Sequence, residues 1–237
     1  MTAEIIKEEL FKLADPQKKE FLPYFFKTEK GQYGEGDRFI GVVVPAQRAL
    51  VKKYKEMHVD EISKLLFDDY HECRLIALLF LVNMFNKTKD EKRREEIYDF
   101  YISHADRINN WDLVDLSARD IVGGYLFDKS RLPLYDFAKM QHLWLQRISI
   151  IATYYFIKKG DLKDTFEIAN ILIDHSHDLI HKATGWMLRE AGKQNLESLL
   201  LYLVEDGRYK TMPRTMLRYA IEKLPEATRQ QFLKGKI

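Results

Sequence analysis

Residues 144–150 read Trp144-Leu145-Gln146-Arg147-Ile148-Ser149-Ile150, and 35 positions after Arg147 the chain reads Lys182-Ala183-Thr184-Gly185. In both, a cation near a helix start is followed by small or apolar residues. The pattern recurs in Arg74-Leu75-Ile76-Ala77 and Arg214-Thr215-Met216-Leu217. The separations are 73, 35 and 32 residues. The first is about two periods of ~36, so a skipped repeat begins near Trp111. A period in this range, with two helices per unit, marks an α-solenoid, because a single helix pair cannot bury its apolar faces without stacking on the next. The expected fold is all-α: an α-solenoid of antiparallel helix pairs over residues 1–237 as one domain. The second helices would line a concave groove and the repeated cations would make it basic.

Helical spacing runs along the rest of the chain. Ile5, Ile6, Leu10, Phe11 and Leu13 follow it behind Thr2, a cap candidate, and Pro45 suits the first turn of a helix reaching Tyr54. Further helices are expected over 59–67, 70–86, 90–105, 111–126, 132–140, 144–158, 162–174, 179–191, 196–205 and 213–224. Gly31, Gly34 and Gly36 lie in a long polar loop. Their spacing is wrong for a phosphate cradle, and no Lys-Ser or Lys-Thr follows. The aromatic run Phe21, Tyr24, Phe25, Phe26 reads as helix-seam packing, with a ligand contact as the other use.

Composition excludes several classes. The chain has 237 residues, 46% hydrophobic, with 38 Lys+Arg against 36 Asp+Glu. That total advertises no polyanion partner, but it hides an asymmetry. Residues 1–128 carry 20 basic and 24 acidic side chains, net −4, and residues 129–237 carry 18 and 12, net +6. Cys73 is the only cysteine, so neither an internal disulfide nor a cysteine zinc cluster can form. His175, His177 and His181 lack a carboxylate at zinc-protease spacing, and no metal or other cofactor is expected. The acidic, amphipathic N-terminus is unlike a targeting peptide. Apolar runs fall well short of the ~20 residues that span a bilayer. The expectation is a soluble, cytoplasmic monomer.

The three tryptophans each have a charge one helical turn away: Trp111 with Asp115, Trp144 with Arg147, and Trp186 with Lys182 and Arg189. Offsets of three and four place such pairs on one helix face. An aromatic and charged stripe suits a flat or cationic ligand held beside phosphates, and ordinary seam packing is the other reading. Asp115 stands where the other repeats carry Arg or Lys. A carboxylate among cations suits stabilisation of developing positive charge or the orientation of a water. Asp112 lies nearer the helix start and off that face, where it suits the helix dipole.

The strings Asn110-Trp111-Asp112-Leu113-Val114-Asp115, Trp144-Leu145-Gln146-Arg147 and Lys182-Ala183-Thr184-Gly185-Trp186-Met187-Leu188-Arg189-Glu190 resemble the AlkD-type DNA alkylation-repair glycosylases. So does Phe39-Ile40-Gly41-Val42-Val43-Val44-Pro45-Ala46-Gln47-Arg48. The resemblance implies HEAT-like repeats and removal of positively charged N3- and N7-alkylated purines from double-stranded DNA. It makes Asp115 the catalytic carboxylate, sets Trp111 and Trp186 around the lesion nucleotide, and gives Arg147 to the backbone. Lys182, Arg189, Arg214, Arg74 and Trp144 would be further DNA contacts. Val43 and Val44 depart from relatives with a polar, DNA-facing residue there. A shallow solenoid groove offers no obvious pocket, and the family is thought to act without enclosing the base. No Lys accompanies Trp111 and Asp115, so the expected enzyme is monofunctional and leaves an abasic site. The alternatives are a non-catalytic helical-repeat protein binding structured or branched DNA, or a protein partner.

Overall fold

Short polar caps decide where the helices begin. The Thr2 hydroxyl accepts from the amide of Ile5, Asp15 from Gln17 and Lys18, and Asp90 from Lys92. Each such cap contributes about 1 kcal/mol by satisfying an amide the helix leaves open. A computed structural model describes residues 1–237. It is helical throughout, with an isolated bridge between Arg38 and Tyr70 as its only extended pairing. The chain divides into two compact units, Met1–Ile121 and Val122–Ile237.

The first unit holds α1 (Ala3–Lys12), α2 (Pro16–Phe25), α3 (Val44–Tyr54), α4 (Val59–Leu66), α5 (His71–Lys87), α6 (Glu91–Ser103) and α7 (Trp111–Asp115). Helix α5 is its centre. It is buried on every side from His71 to Val82, as a helix apolar all round must be. Helices α1, α3, α4, α6 and α7 all pack against it. Helix α2 was not expected from periodicity. It has no fully buried residue and an internal proline, Pro23, and it stands on the Asp15 cap and on Pro16 at its first position.

The helix expected over 111–126 is divided. Helix α7 ends at Asp115, a π-helical turn covers Arg119–Gly123, and α8 follows at Gly124–Leu126. The break leaves Asp115 at a helix end rather than inside a long rod.

The second unit continues with α9 (Leu132–Lys139), α10 (Leu143–Lys158), α11 (Lys163–Ile171), α12 (Asp178–Gln194), α13 (Leu196–Val204), α14 (Arg208–Thr211), α15 (Arg214–Ala220) and α16 (Glu226–Leu233). Helices α10, α12 and α15 lie side by side in one layer, with α9 and α11 packed against α10 and α12 from a second. These stacked pairs are the repeat that the periodicity predicts within this unit. Gly185 lets α12 approach α15 closely: a β-carbon there would collide with the Met216 carbonyl and the Tyr219 side chain. The last helix, α16, also escaped the sequence reading, and its Phe232 is buried against Tyr209.

Candidate active site

The site of interest lies in the first unit, where α2, α3, α5 and α7 meet. Asn110 starts α7: its side-chain oxygen accepts from the Trp111 amide at 2.8 Å. One turn later the helix delivers Asp115 on the Trp111 side, and both are half-buried. Together they border a cavity of about 440 Å3, walled by Phe25, Phe26, Phe39, Val42 and Leu75. The expectation of a groove without a pocket is therefore corrected. The volume falls within the range of small-ligand sites, and the wall is almost wholly apolar.

The aromatic run does more than seal a seam. Phe26 stacks on Trp111 at 5.3 Å between centroids, and Phe25 meets the same indole edge-on at 5.8 Å. On its other side Phe26 stacks on Phe39 at 5.2 Å. Phe21 and Tyr24 stay exposed. The indole is thus held between rings from the α2 end, so its orientation does not depend on α7 alone.

A buried charge network stands behind the cavity. His71 Nδ1 lies 3.0 Å from Asp37 and Nε2 2.9 Å from Asp112. A neutral imidazole has only one N–H, whereas two carboxylate partners need two, so the geometry calls for the imidazolium. Burial opposes that charge, but the charge of Asp112 and the hydrogen bonds from both carboxylates outweigh it, and the pKa of His71 is pushed up to about 9. Asp37 is held below the usual carboxylate range: burial pushes it up, and the His71 bond and the Arg74 charge more than offset this. Phe26 and Phe39 flank the imidazolium at 4.8 and 4.9 Å.

The loop 40–42 is tied to the same helix start. The Glu72 carboxylate accepts from the amides of Ile40, Gly41 and Val42 at 3.0, 2.8 and 3.1 Å. Gly41 has φ +97°, and a β-carbon there would strike the Asp15 carbonyl. Gln47 donates to the Val42 carbonyl at 2.9 Å. These bonds hold the loop where Val42, buried, and Val43, exposed, both line the cavity.

The predicted basic ladder fares differently. Arg74 is 2% exposed, bonded to Asp37 and to the Asp68 carbonyl, so it is an internal counter-ion and not a groove cation. In the second unit Arg147 is 4% exposed and donates to the Leu179 carbonyl. Trp144 is buried. Lys182 pairs with Asp178 at 2.6 Å, Arg189 with Glu222, and exposed Arg214 donates to the Leu233 carbonyl at 2.8 Å. The Trp186 indole donates to Glu190 at 3.2 Å. Arg74, Arg147, Lys182 and Arg214 do sit near the starts of α5, α10, α12 and α15; Arg74 and Arg147 are buried there, Lys182 is half-buried in an ion pair, and Arg214 is exposed.

Sequence reasoning missed Asp37, His71, Glu72 and Phe39. Asp37 lies 34 residues from His71 and Asp112 lies 41 away, so no local spacing connects them. Cys73 is buried, as expected of a core residue, and burial pushes its thiol pKa up. No group of three or more His, Cys, Asp or Glu side chains is placed to hold a metal ion. No helix is long and apolar enough to cross a membrane.

The chain matches the DNA alkylation repair enzyme family over residues 6–224. No curated protein matches it. Among solved structures, it is similar to one from Enterococcus faecalis described as a predicted DNA alkylation repair enzyme, with a TM-score of 0.71 and 16% identity. That likeness covers 90% of this chain and 97% of the other, and it establishes the fold.

Proposed function

This chain belongs to the DNA alkylation repair enzyme family, and we propose that its activity is that of a monofunctional DNA glycosylase excising N3- and N7-alkylated purines from duplex DNA. The observation that carries this reading is the Asp115 carboxylate at the edge of an apolar, aromatic-walled cavity beside Trp111.

Alkylation at N3 or N7 leaves the purine positively charged, so the base departs as a neutral molecule and needs no general acid. The electron pair of the C1′–N bond leaves with the base, and the deoxyribose is left with oxocarbenium character. Asp115 faces that developing charge. Water then adds to C1′ and gives up a proton to the carboxylate or to solvent. The product is an abasic site. The half-buried Trp111 indole attracts a flat cation, an interaction worth up to ~2 kcal/mol once water is excluded, and Phe26, covered on both faces, orients that indole. No lysine lines the cavity, so no amine is at hand to form a Schiff base with C1′. Neutral lesions lack the leaving-group charge and are expected to be poor substrates. The reading requires only a monomer and places the protein with DNA in the cytoplasm.

The test is incubation with duplex DNA containing N7-methylguanine, scoring released base and abasic sites. Release that depends on Asp115 supports the reading. Intact DNA binding with no release would identify a non-catalytic DNA-binding protein of helical-repeat build instead.

A further inference from the structure

Helices α3 and α5 border a second, open cavity of about 420 Å3. The first cavity takes Gln47 of α3 and Leu75 of α5, near the starts of these helices. The second takes Val51 and Leu79, farther along the same seam, and reaches Lys55 and Lys87 at the two helix ends. Their chemistry is opposite. The second cavity is lined by Arg48, Lys52, Lys55 and Lys87, and its wall contains no Asp or Glu.

Arg48, Lys52 and Lys55 follow one another at offsets of four and three, so they stand on one face of α3. All four cations are exposed. Lys53, which points off that face, is by contrast bonded to Glu9 at 2.7 Å. Like charges four apart on a helix repel, and nothing in this wall offsets the repulsion. The C-terminal carbonyls of α3 favour Lys52 and Lys55, but that field fades within the last turn and Arg48 lies before it. The turn itself is fixed: Lys55 sits at φ +59°, and its carbonyl accepts from Asn83 at 2.7 Å. Four cations held on a concave wall without an acid call for an anion from outside.

We propose that this cationic end of the α3–α5 seam holds the sugar–phosphate backbone of the duplex flanking the nucleotide at Asp115. The inference rests on the DNA-glycosylase reading above. Arg48 to Lys55 covers roughly 10 Å at 1.5 Å per residue, about three phosphates of one strand at 3.4 Å each along the duplex. The contact is independent of base identity, because every charge addresses phosphate. A first unit with an acidic surplus thereby gains a DNA-facing strip beside its carboxylate.

The experiment titrates an undamaged fluorescent duplex with wild type and with the variant carrying Arg48→Ala, Lys52→Ala, Lys55→Ala and Lys87→Ala, over a range of salt concentrations. Each lost phosphate contact flattens the dependence of log K on log[salt] by about 0.9, so the variant should bind more weakly with a slope shallower by about two to four. Lys53→Ala, whose charge is answered by Glu9, should keep the wild-type slope. All four positions are exposed, and matching thermal midpoints verify that the variant folds. Equal slopes and affinities would overturn the proposal and assign the strip to another anionic partner, such as an acidic protein. Release of N7-methylguanine by wild type is scored separately. Shallower slope with no release retires the glycosylase reading and keeps the DNA surface; release with unchanged slope does the reverse.

Discussion

Trp111 is followed four residues later by Asp115, and Trp186 four residues later by Glu190, yet the two pairs have opposite fates. Glu190 is buried, and one of its oxygens collects three partners: the Trp186 indole at 3.2 Å, Lys193 at 2.7 Å and Arg189 at 3.6 Å. Its carboxylate ties turns of α12 to one another. Asp115 instead lies at the end of a five-residue helix and borders a cavity. Nearby, His71 is paired with Asp37 and Asp112, and Arg74 with Asp37. The same offset gives a structural carboxylate where cations converge on it. It gives a candidate catalytic one where the residue ends a short helix at the edge of a cavity.

The largest effect should separate these roles directly. Asp115→Asn is expected to lower single-turnover release of N7-methylguanine by about 10²–10³, the usual loss for one preorganised electrostatic contact, with DNA affinity nearly unchanged. Glu190→Gln should leave that rate within a few-fold of wild type. Full activity in the first variant, or a collapse of the second at unchanged stability, would break the contrast.

The next effect probes the network under Asp115. The folded pKa of His71, about 9, lies above its ordinary 6.5. The stabilisation is therefore complete below pH 6.5 and lost as pH rises through about 9. A shift of this size corresponds to roughly 3 kcal/mol. Urea unfolding between pH 6 and 10 should show the alkaline fall in wild type and a smaller one in His71→Gln. The groups facing His71 are Asp37 and Asp112, with Arg74 beside Asp37. Identical pH dependence in both proteins would mean that the imidazolium is not the stabilising form.

A smaller effect belongs to Glu190. Glu190→Gln keeps an acceptor oxygen but removes the buried charge that Lys193 and Arg189 face, which should cost about 1–3 kcal/mol in denaturant unfolding. Asp115→Asn should cost less, since that side chain is half-buried beside open space. If Asp115→Asn were the more destabilising of the two, Asp115 would be the structural carboxylate and the comparison would invert.

Much of this was legible in the chain itself. The spacing of Arg147, Lys182 and Arg214 marked the helices that stack as α10, α12 and α15, because a solenoid repeat is a local pattern copied along the sequence. The Trp111–Asp115 pair was legible too, because a helix converts an offset of four into a shared face. Helix α2 was not legible: its apolar residues leave no fully buried stripe, so periodicity had nothing to detect. The burial of Arg74 and Arg147 was not legible for a related reason. Periodicity reports which face of a helix a charge occupies and is silent on whether an acid from elsewhere meets it.

The sequence by itself determined the helical class, the repeat and the presence of a carboxylate one turn after a tryptophan, since all three depend on neighbours within a few residues along the chain. Only the tertiary structure decided which charges are exposed and which are neutralised. Asp37 meets His71 and Arg74 across 34 and 37 residues, while Arg48, Lys52, Lys55 and Lys87 line a wall that no acid joins. Those outcomes depend on which side chains packing brings within a few ångströms, where the strength of an electrostatic contact is set.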